Sequence, residues 1–590
     1  MKRSVSLVML LFTSALFLTS CAGGNRDESI SGDKEGYREA KGNRFYGGIL
    51  KVNESEYIRN LFPHNITDVY SYRVASQVYE GLFKFNSETL EVEKNLIDSY
   101  TVDESGTKYK FNLKKGVFFH NDPCFTNGQG REFVAEDVAY CFTRLATPHR
   151  NNQNAAIFRG LIAGAEEWYK AAQAGNRPSG FLKGIQVLDR YTVEITLTEP
   201  NAIFPVHLAR PPCFIYPKEA EKKYGQELRI KAVGTGPFTM GEVSEDISIL
   251  LRRNERYHGE DEFGNQLPFL DAISIQFLKD KKSELLEFKK GNLDLIYRLP
   301  TDYIIQILEE SASKQGEYSQ YNLQRVPEMV TQFIAFQNRN SAFDDVQVRK
   351  AFNYAIDRQK ILDFVLNGEG FAPGHHGITP PVFSQYDIHN IPGYSFNPDS
   401  ARFLLKAAGY PDGKGFPSVE LILNAEGERN TNVAVEIQKE LKDNLNVDVK
   451  LTVLPFAQML DMGYKGSFDM MRAAWYADYP HPESFLWLFY GKNVPTDQSK
   501  VSYPNMMRYN NPRFNRLYEQ ALAKKDIAEA EELLARAEKV MIKDAPVIIL
   551  WYDEGYRLLH SYVRNFPNNG MQYRDYAEVY FQRAKKLETM

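Results

Sequence analysis

Cysteine, tryptophan and histidine are scarce in this chain: its 590 residues contain four, four and ten of them. Cys21 stands apart near the start, so the body holds only Cys124, Cys141 and Cys213. None of the three has C-x-x-C spacing or a Cys/His set at metal-ligand spacing, which removes zinc-ribbon and thioredoxin-like readings. Three thiols allow at most one disulfide in an oxidising compartment. Cys141 shares an apolar helical stripe with Val138 and Leu145, so a buried thiol is favoured over a bridge. Charge of one sign is also lacking. The 71 basic and 76 acidic residues leave a net charge of −5, which offers no footprint for nucleic acid. No apolar run after the first twenty residues reaches the roughly 20 residues a bilayer span needs. G-x-S-x-G, H-E-x-x-H and Walker A patterns are missing, and with them the usual signatures of hydrolases, zinc peptidases and nucleotide-binding enzymes.

What is present starts with Lys2 and Arg3, followed by an apolar run from Val5 to Leu18, the form of a secretory signal. Leu18-Thr19-Ser20-Cys21 closes it in the manner of a bacterial lipobox, so cleavage before Cys21 and lipid attachment to its sulfur are expected. Residues 22–44 are mostly Gly, Ser, Asn and charge, and read as a flexible tether. The remainder is long enough for two to four domains, and 43% hydrophobic and 13% aromatic residues suffice for their cores.

The body alternates strands and helices, which indicates α/β architecture. Ser418–Ala425 reads as a strand. Thr431–Leu445 carries Val433, Ile437, Leu441 and Leu445 at helical spacing, and Val447, Val449, Leu451 and Val453 alternate as a second strand does. Together they predict a βαβ unit and a parallel sheet. A short helix over Phe456–Gly463 and a strand over Phe468–Trp475 follow. Asn397-Pro398 opens a helix that Gly409 stops, and another helix is expected over Val346–Leu366. Tyr109–Leu113, Val187–Leu197 and Ser248–Arg253 read as strands of a more β-rich first half.

Several stretches, in order, resemble the dipeptide/oligopeptide-binding proteins of solute-binding family 5. They are Tyr79-Glu80-Gly81-Leu82-Phe83, Phe111-Asn112-Leu113-Lys114-Lys115-Gly116-Val117-Phe118-Phe119-His120, Ala135-Glu136-Asp137-Val138 and Gly234-Thr235-Gly236-Pro237-Phe238. Phe343 to Phe352 with Ala355-Ile356-Asp357-Arg358, and Trp475 to Pro480, complete the set. The resemblance implies a type II periplasmic-binding-protein fold: two lobes with a hinge, plus an inserted accessory domain. Lobe I would comprise 45–85, 227–327 and 546–590, the accessory domain 86–226, and lobe II 328–545. Pro123–Arg131 departs from the family pattern as an insertion within the accessory domain. The implied role is the extracytoplasmic, lipid-anchored substrate-binding component of an ABC importer. Such a protein would be a monomer without cofactor or catalytic step, passing short peptides to permease subunits in the inner membrane.

The chemistry of that task is specific. A short peptide is a zwitterion, so binding any sequence needs an anion for the ammonium, a cation for the carboxylate, and backbone partners between them. Asp478 matches the family's ammonium-binding aspartate, and Arg472 resembles an arginine that takes the carboxylate, for which its planar fork is suited. Ala474, Trp475 and Tyr476 lie between them as further binding candidates; Trp475 and Tyr476 would wall the first side-chain pocket and lend backbone groups. Asp68, Val69 and Tyr70, entering the first helix of lobe I, are expected on the opposite wall. Gly234-Thr235-Gly236 lacks the third glycine of a dinucleotide loop and reads as a turn; His375-His376 reads as loop rather than metal site. The alternatives are the same scaffold holding a sugar or nickel chelate, and a peptide chaperone or peptidase.

Overall fold

The computed structural model describes residues 37–582 other than 177–178, 340–341, 384–385, 426 and 572. The signal segment, the lipidation candidate Cys21 and residues 22–36 of the tether lie outside the described residues. The tether ends earlier than expected. Arg38–Ala40 pairs antiparallel with Arg44–Tyr46, and Arg44 is held by Asp261 at 2.6 Å.

Strand β1 (Ile49–Asn53) buries Leu50 and Val52 and leads, through an irregular segment, to helix α1 (Val69–Val78). The next part of the chain forms an antiparallel sheet of β2 (Ile97–Val102), β3 (Lys108–Leu113), β4 (Ile185–Asp189) and β5 (Thr192–Thr196), in the order β2-β3-β5-β4. Val187–Leu197 is therefore a hairpin rather than one strand. Asp189 accepts from the amide of Tyr191 at 2.8 Å and turns the chain there, as a short polar side chain readily does. Helix α2 (Ala135–Leu145) packs on this sheet. Its Cys141 is fully buried beside Tyr216, and the three thiols of the described residues are unpaired. The chain then returns to β1. Strands β6 (Phe238–Ser244), β7 (Ser248–Arg253) and β8 (Ala272–Gln276) assemble as β6-β7-β8-β1, with β8 and β1 parallel.

The largest sheet spans the rest of the molecule. It contains β9 (Leu295–Tyr297), β10 (Asn322–Phe336), β11 (Val419–Asn424), β12 (Val449–Leu454), β13 (Met470–Tyr476) and β14 (Val547–Leu559), ordered β9-β14-β10-β13-β11-β12. The predicted βαβ unit is present: β11 and β12 are parallel and joined by helix α3 (Gly427–Leu445). Helix α4 (Phe456–Lys465) precedes β13. The helix expected over Val346–Leu366 is broken after Tyr354. Asp357 starts a new turn by capping the amide of Lys360 at 3.1 Å.

Strands β10 and β14 run the length of this sheet. Asn322–Pro327 faces Glu554–Leu559, the register shifts, and Thr331–Ala335 faces Val547–Tyr552. Proline lacks the amide a ladder needs, so the break falls where Pro327 ends the first half. Beyond the shift the sheet continues into β13, β11 and β12; before it the neighbour is β9. The division expected at residue 546 thus falls at the head of a strand shared by both halves.

Candidate functional site

The site follows from an incomplete ladder. Strand β13 pairs with β10 along its whole length, from Met470 to Tyr476. On its other edge β11 meets only Met470 and Met471. From Arg472 onward that edge has no strand neighbour among the described residues. A cavity, partly open to solvent, lies against it. Asp68, Val69, Tyr70, Arg472, Ala474, Trp475, Tyr476 and Asp478 all line this one space. Two sequence segments some 400 residues apart therefore meet at one cavity.

Asp478 sits just past the end of β13, its amide donating to Ser484 Oγ at 3.0 Å. Its Oδ2 accepts from Arg210 Nη2 at 2.7 Å, while Oδ1 takes no hydrogen bond from a described residue. Arg210 is buried, 4.6 Å from the Tyr479 ring and 5.1 Å from Trp487, a desolvated cation–π setting that fixes the guanidinium. Burial pushes the Asp478 carboxyl above its ordinary range, and the Arg210 charge works against that rise. Three buried donors in the same wall, Tyr72 Oη, Trp475 Nε1 and Arg210 Nε, have no partner among the described residues. Such groups are costly to leave unmet in a closed interior.

The other candidates are more committed. Asp68 caps α1, taking the Ser71 amide and the Ser71 hydroxyl, each at 2.8 Å, on its two oxygens. Its carboxylate serves the helix start, each oxygen already accepting from Ser71, while the residue lines the cavity. Tyr70 meets Ser55 Oγ at 3.1 Å and stands edge-on to Phe456 of α4 at 5.6 Å, joining the two walls. Arg472 donates to Gln332 Oε1 at 2.6 Å and to Asn424 Oδ1 at 3.3 Å. Tyr476 lies 5.5 Å from Arg298. Arg298 in turn lines a second cavity together with Arg429, and these two arginines share Asp553 at 2.8 and 2.9 Å.

Several motifs stand apart from this cavity. Gly234-Thr235-Gly236 closes a junction in which Thr235 donates to Glu80 Oε2 at 2.7 Å and Gly236 O lies 2.9 Å from His120 Nε2. A Cβ on Gly234 would come within 2.1 Å of the Val78 carbonyl, so backbone contact accounts for the glycine. His376 lies 3.3 Å from His389, and no set of three His, Cys, Asp or Glu among the described residues is placed to hold a metal.

A family model described as bacterial extracellular solute-binding proteins, family 5 Middle, matches residues 91–497. The chain belongs to family 5. This family 5 protein is 27% identical over 527 residues to the heme-binding protein A of Haemophilus influenzae, covering 87% of the chain and 88% of that relative. It is 25% identical to the periplasmic oligopeptide-binding protein OppA of Salmonella typhimurium, over 88% and 89% of the two chains. Among solved structures, the periplasmic binding protein DppA of Helicobacter pylori in complex with the peptide STSA superposes with a TM-score of 0.79 at 25% identity, over 92% of this chain and 99% of that one. The fold is the type II periplasmic-binding-protein fold. No helix among the described residues is long and apolar enough to cross a membrane.

Sequence reasoning missed Arg210, Tyr72 and the apolar wall from α4. Arg210 lies 268 residues from its partner Asp478, in the plain segment Ala209-Arg210-Pro211-Pro212, which carries no motif. Tyr72 was legible: with Val69 it falls on the i, i+3 face of the helix that Asp68 caps.

Proposed function

We propose that this family 5 protein is the extracytoplasmic substrate-binding component of an ABC importer and holds short peptides between its two lobes by their termini and main chain. The open edge of β13, leading straight to Asp478, carries this reading. An extended peptide laid along Arg472–Tyr476 gains main-chain hydrogen bonds whatever its side chains are, the logic of strand addition. Its ammonium meets Asp478 Oδ1, the oxygen that Arg210 leaves open. The unpartnered donors Tyr72 Oη and Trp475 Nε1 supply hydrogen bonds to peptide carbonyls. Arg472, six residues up the strand and so about 20 Å away when extended, takes the carboxylate end. That span suits peptides of a few residues. We assign 45–85, 227–327 and the chain from 546 to lobe I, 86–226 to the accessory domain, and 328–545 to lobe II.

The test is isothermal titration of Asp478→Ala with a free-amine tripeptide and its N-acetylated form. Removing one partner of a desolvated ion pair costs about 2–5 kcal/mol, so the free-amine peptide should lose at least thirtyfold in affinity and the acetylated one little. Equal loss for both would remove Asp478 from ammonium recognition. Delivery to permease subunits, and anchoring through lipid on Cys21, complete the proposal. Metabolic labelling with a radioactive fatty acid should mark the wild-type protein and leave Cys21→Ser unlabelled.

A further inference from the structure

The peptide reading leaves most of the cavity wall unexplained. Away from the groups proposed for the termini, the wall is built from Met459, Leu460 and Tyr464 of α4, Met471 of β13, and Tyr503 and Met506 of the loop behind them. The Met471 and Met506 sulfurs lie 3.1 and 3.5 Å from where a Cβ on Gly463 would stand, so both thioethers converge on one stretch of α4. The Tyr464 and Tyr503 rings meet edge to face at 5.2 Å. Four of the chain's 13 methionines line this single cavity, Met571 being the fourth, which makes its wall adaptable rather than cut to one shape. The charged side chains of the same wall already have protein partners. Asp68 is held by Ser71, Asp478 and Arg210 by each other, and Arg472 by Gln332 and Asn424.

On the footing of the peptide reading, we propose that the cavity selects peptides bearing a large, uncharged apolar side chain of the phenylalanine, leucine or methionine class, seated against these methionine and tyrosine residues. An apolar side chain placed there leaves water for a surface of matching polarity. With Asp478 and Arg472 engaged by the peptide's own termini, a lysine or glutamate side chain against this wall would lose its hydration and find no further charge to pair with, which is the costly case. The thioether wall repacks around different apolar shapes, so phenylalanine and leucine should be accepted alike, while charge is refused.

Titration of the wild-type protein with free-amine tripeptides X-Ala-Ala and Ala-X-Ala, where X is Phe, Leu, Ala, Lys or Glu, tests this. In one series at least, Phe and Leu should bind about tenfold or more tighter than Ala, with Lys and Glu weaker than Ala. Affinity independent of X in both series would overturn the selectivity and leave the peptide reading standing. Binding of none of the nine peptides would overturn both. Met506→Lys, checked for an unchanged thermal transition, should erase the preference for Phe and favour Glu. A folded Met506→Lys protein that still prefers Phe would equally sink the assignment.

Discussion

Two carboxylates, Glu80 and Asp478, teach what separates an acid the protein satisfies fully from one it leaves partly open. Glu80 lies just past α1, against the Gly234–Gly236 turn that leads into β6. It accepts from Thr235 at 2.7 Å, Tyr257 at 3.2 Å and His258 at 3.0 Å. Burial alone would raise its pKa, yet His258 and these hydrogen bonds hold it down at about 2. Asp478 has a single cationic partner, an oxygen without a donor, and a side chain still 31% exposed. Burial wins there and the pKa rises. Where the protein supplies every donor, the acid is part of the scaffold. Where it stops short beside a cavity, an acceptor is left over, and on that acceptor the proposed ammonium contact rests.

The largest effect that sharpens this contrast is on stability. Glu80→Ala strands His258, Tyr257 and Thr235 without their acceptor, and breaking such a buried pair costs about 3–5 kcal/mol. The urea midpoint should fall accordingly, with peptide affinity unchanged under conditions where the variant is folded. Asp478→Asn should behave in the opposite way: its amide oxygen still accepts from Arg210, so the midpoint barely moves while free-amine peptides bind far more weakly. Large peptide loss in Glu80→Ala would break the comparison.

Acid separates the two residues next. Glu80 has a folded pKa below its unfolded value, so the folded form releases its proton more readily. Its contribution is complete above pH 4.5 and disappears as the pH falls through 4.5 towards 2. The shift corresponds to roughly 3 kcal/mol, and Glu80→Gln should flatten that limb of the pH–stability curve. For Asp478 the sign concerns binding. The ammonium needs the carboxylate ionised, and a raised pKa means protonation intrudes earlier in an acid titration than at an ordinary aspartate. Affinity for free-amine peptides should therefore decline early on acidification, and Asp478→Asn should show no such slope.

The contrast also explains what could be read in advance. Local signals were legible: the Asn397 cap (2.9 Å to the Ser400 amide), Gly409 at φ +97°, and the βαβ unit from Val419 to Leu454 stand as the sequence implied. Asp478 was found because the stretch around it resembles a family motif and ends a strand. Its commitment to Arg210 was invisible, since that contact depends on packing between segments with no shared periodicity. The capping role of Asp68 escaped for a related reason. An aspartate before a helix is a cap first, and Ser71 three residues on was the local cue. The broken helix at Ala355–Asp357 escaped because its apolar spacing continues across the break.

Arg472 is the smallest and most discriminating case, because it shares features of both carboxylates. It is buried and bonded to Gln332 and Asn424, as a scaffold residue would be, yet it lines the cavity with Asp478. Arg472→Lys keeps the charge and most of the length but gives up the planar fork that binds a carboxylate through two parallel hydrogen bonds. Peptides with a free carboxylate should lose about 1 kcal/mol, near fivefold in affinity, while C-terminally amidated peptides should bind as before. Titrating both ligands against the variant and the wild type decides the matter. Equal weakening of the two would mean that Arg472 holds β13 in place through Gln332 and Asn424 and belongs with Glu80, leaving the carboxylate end to the Arg298 and Arg429 pair next door.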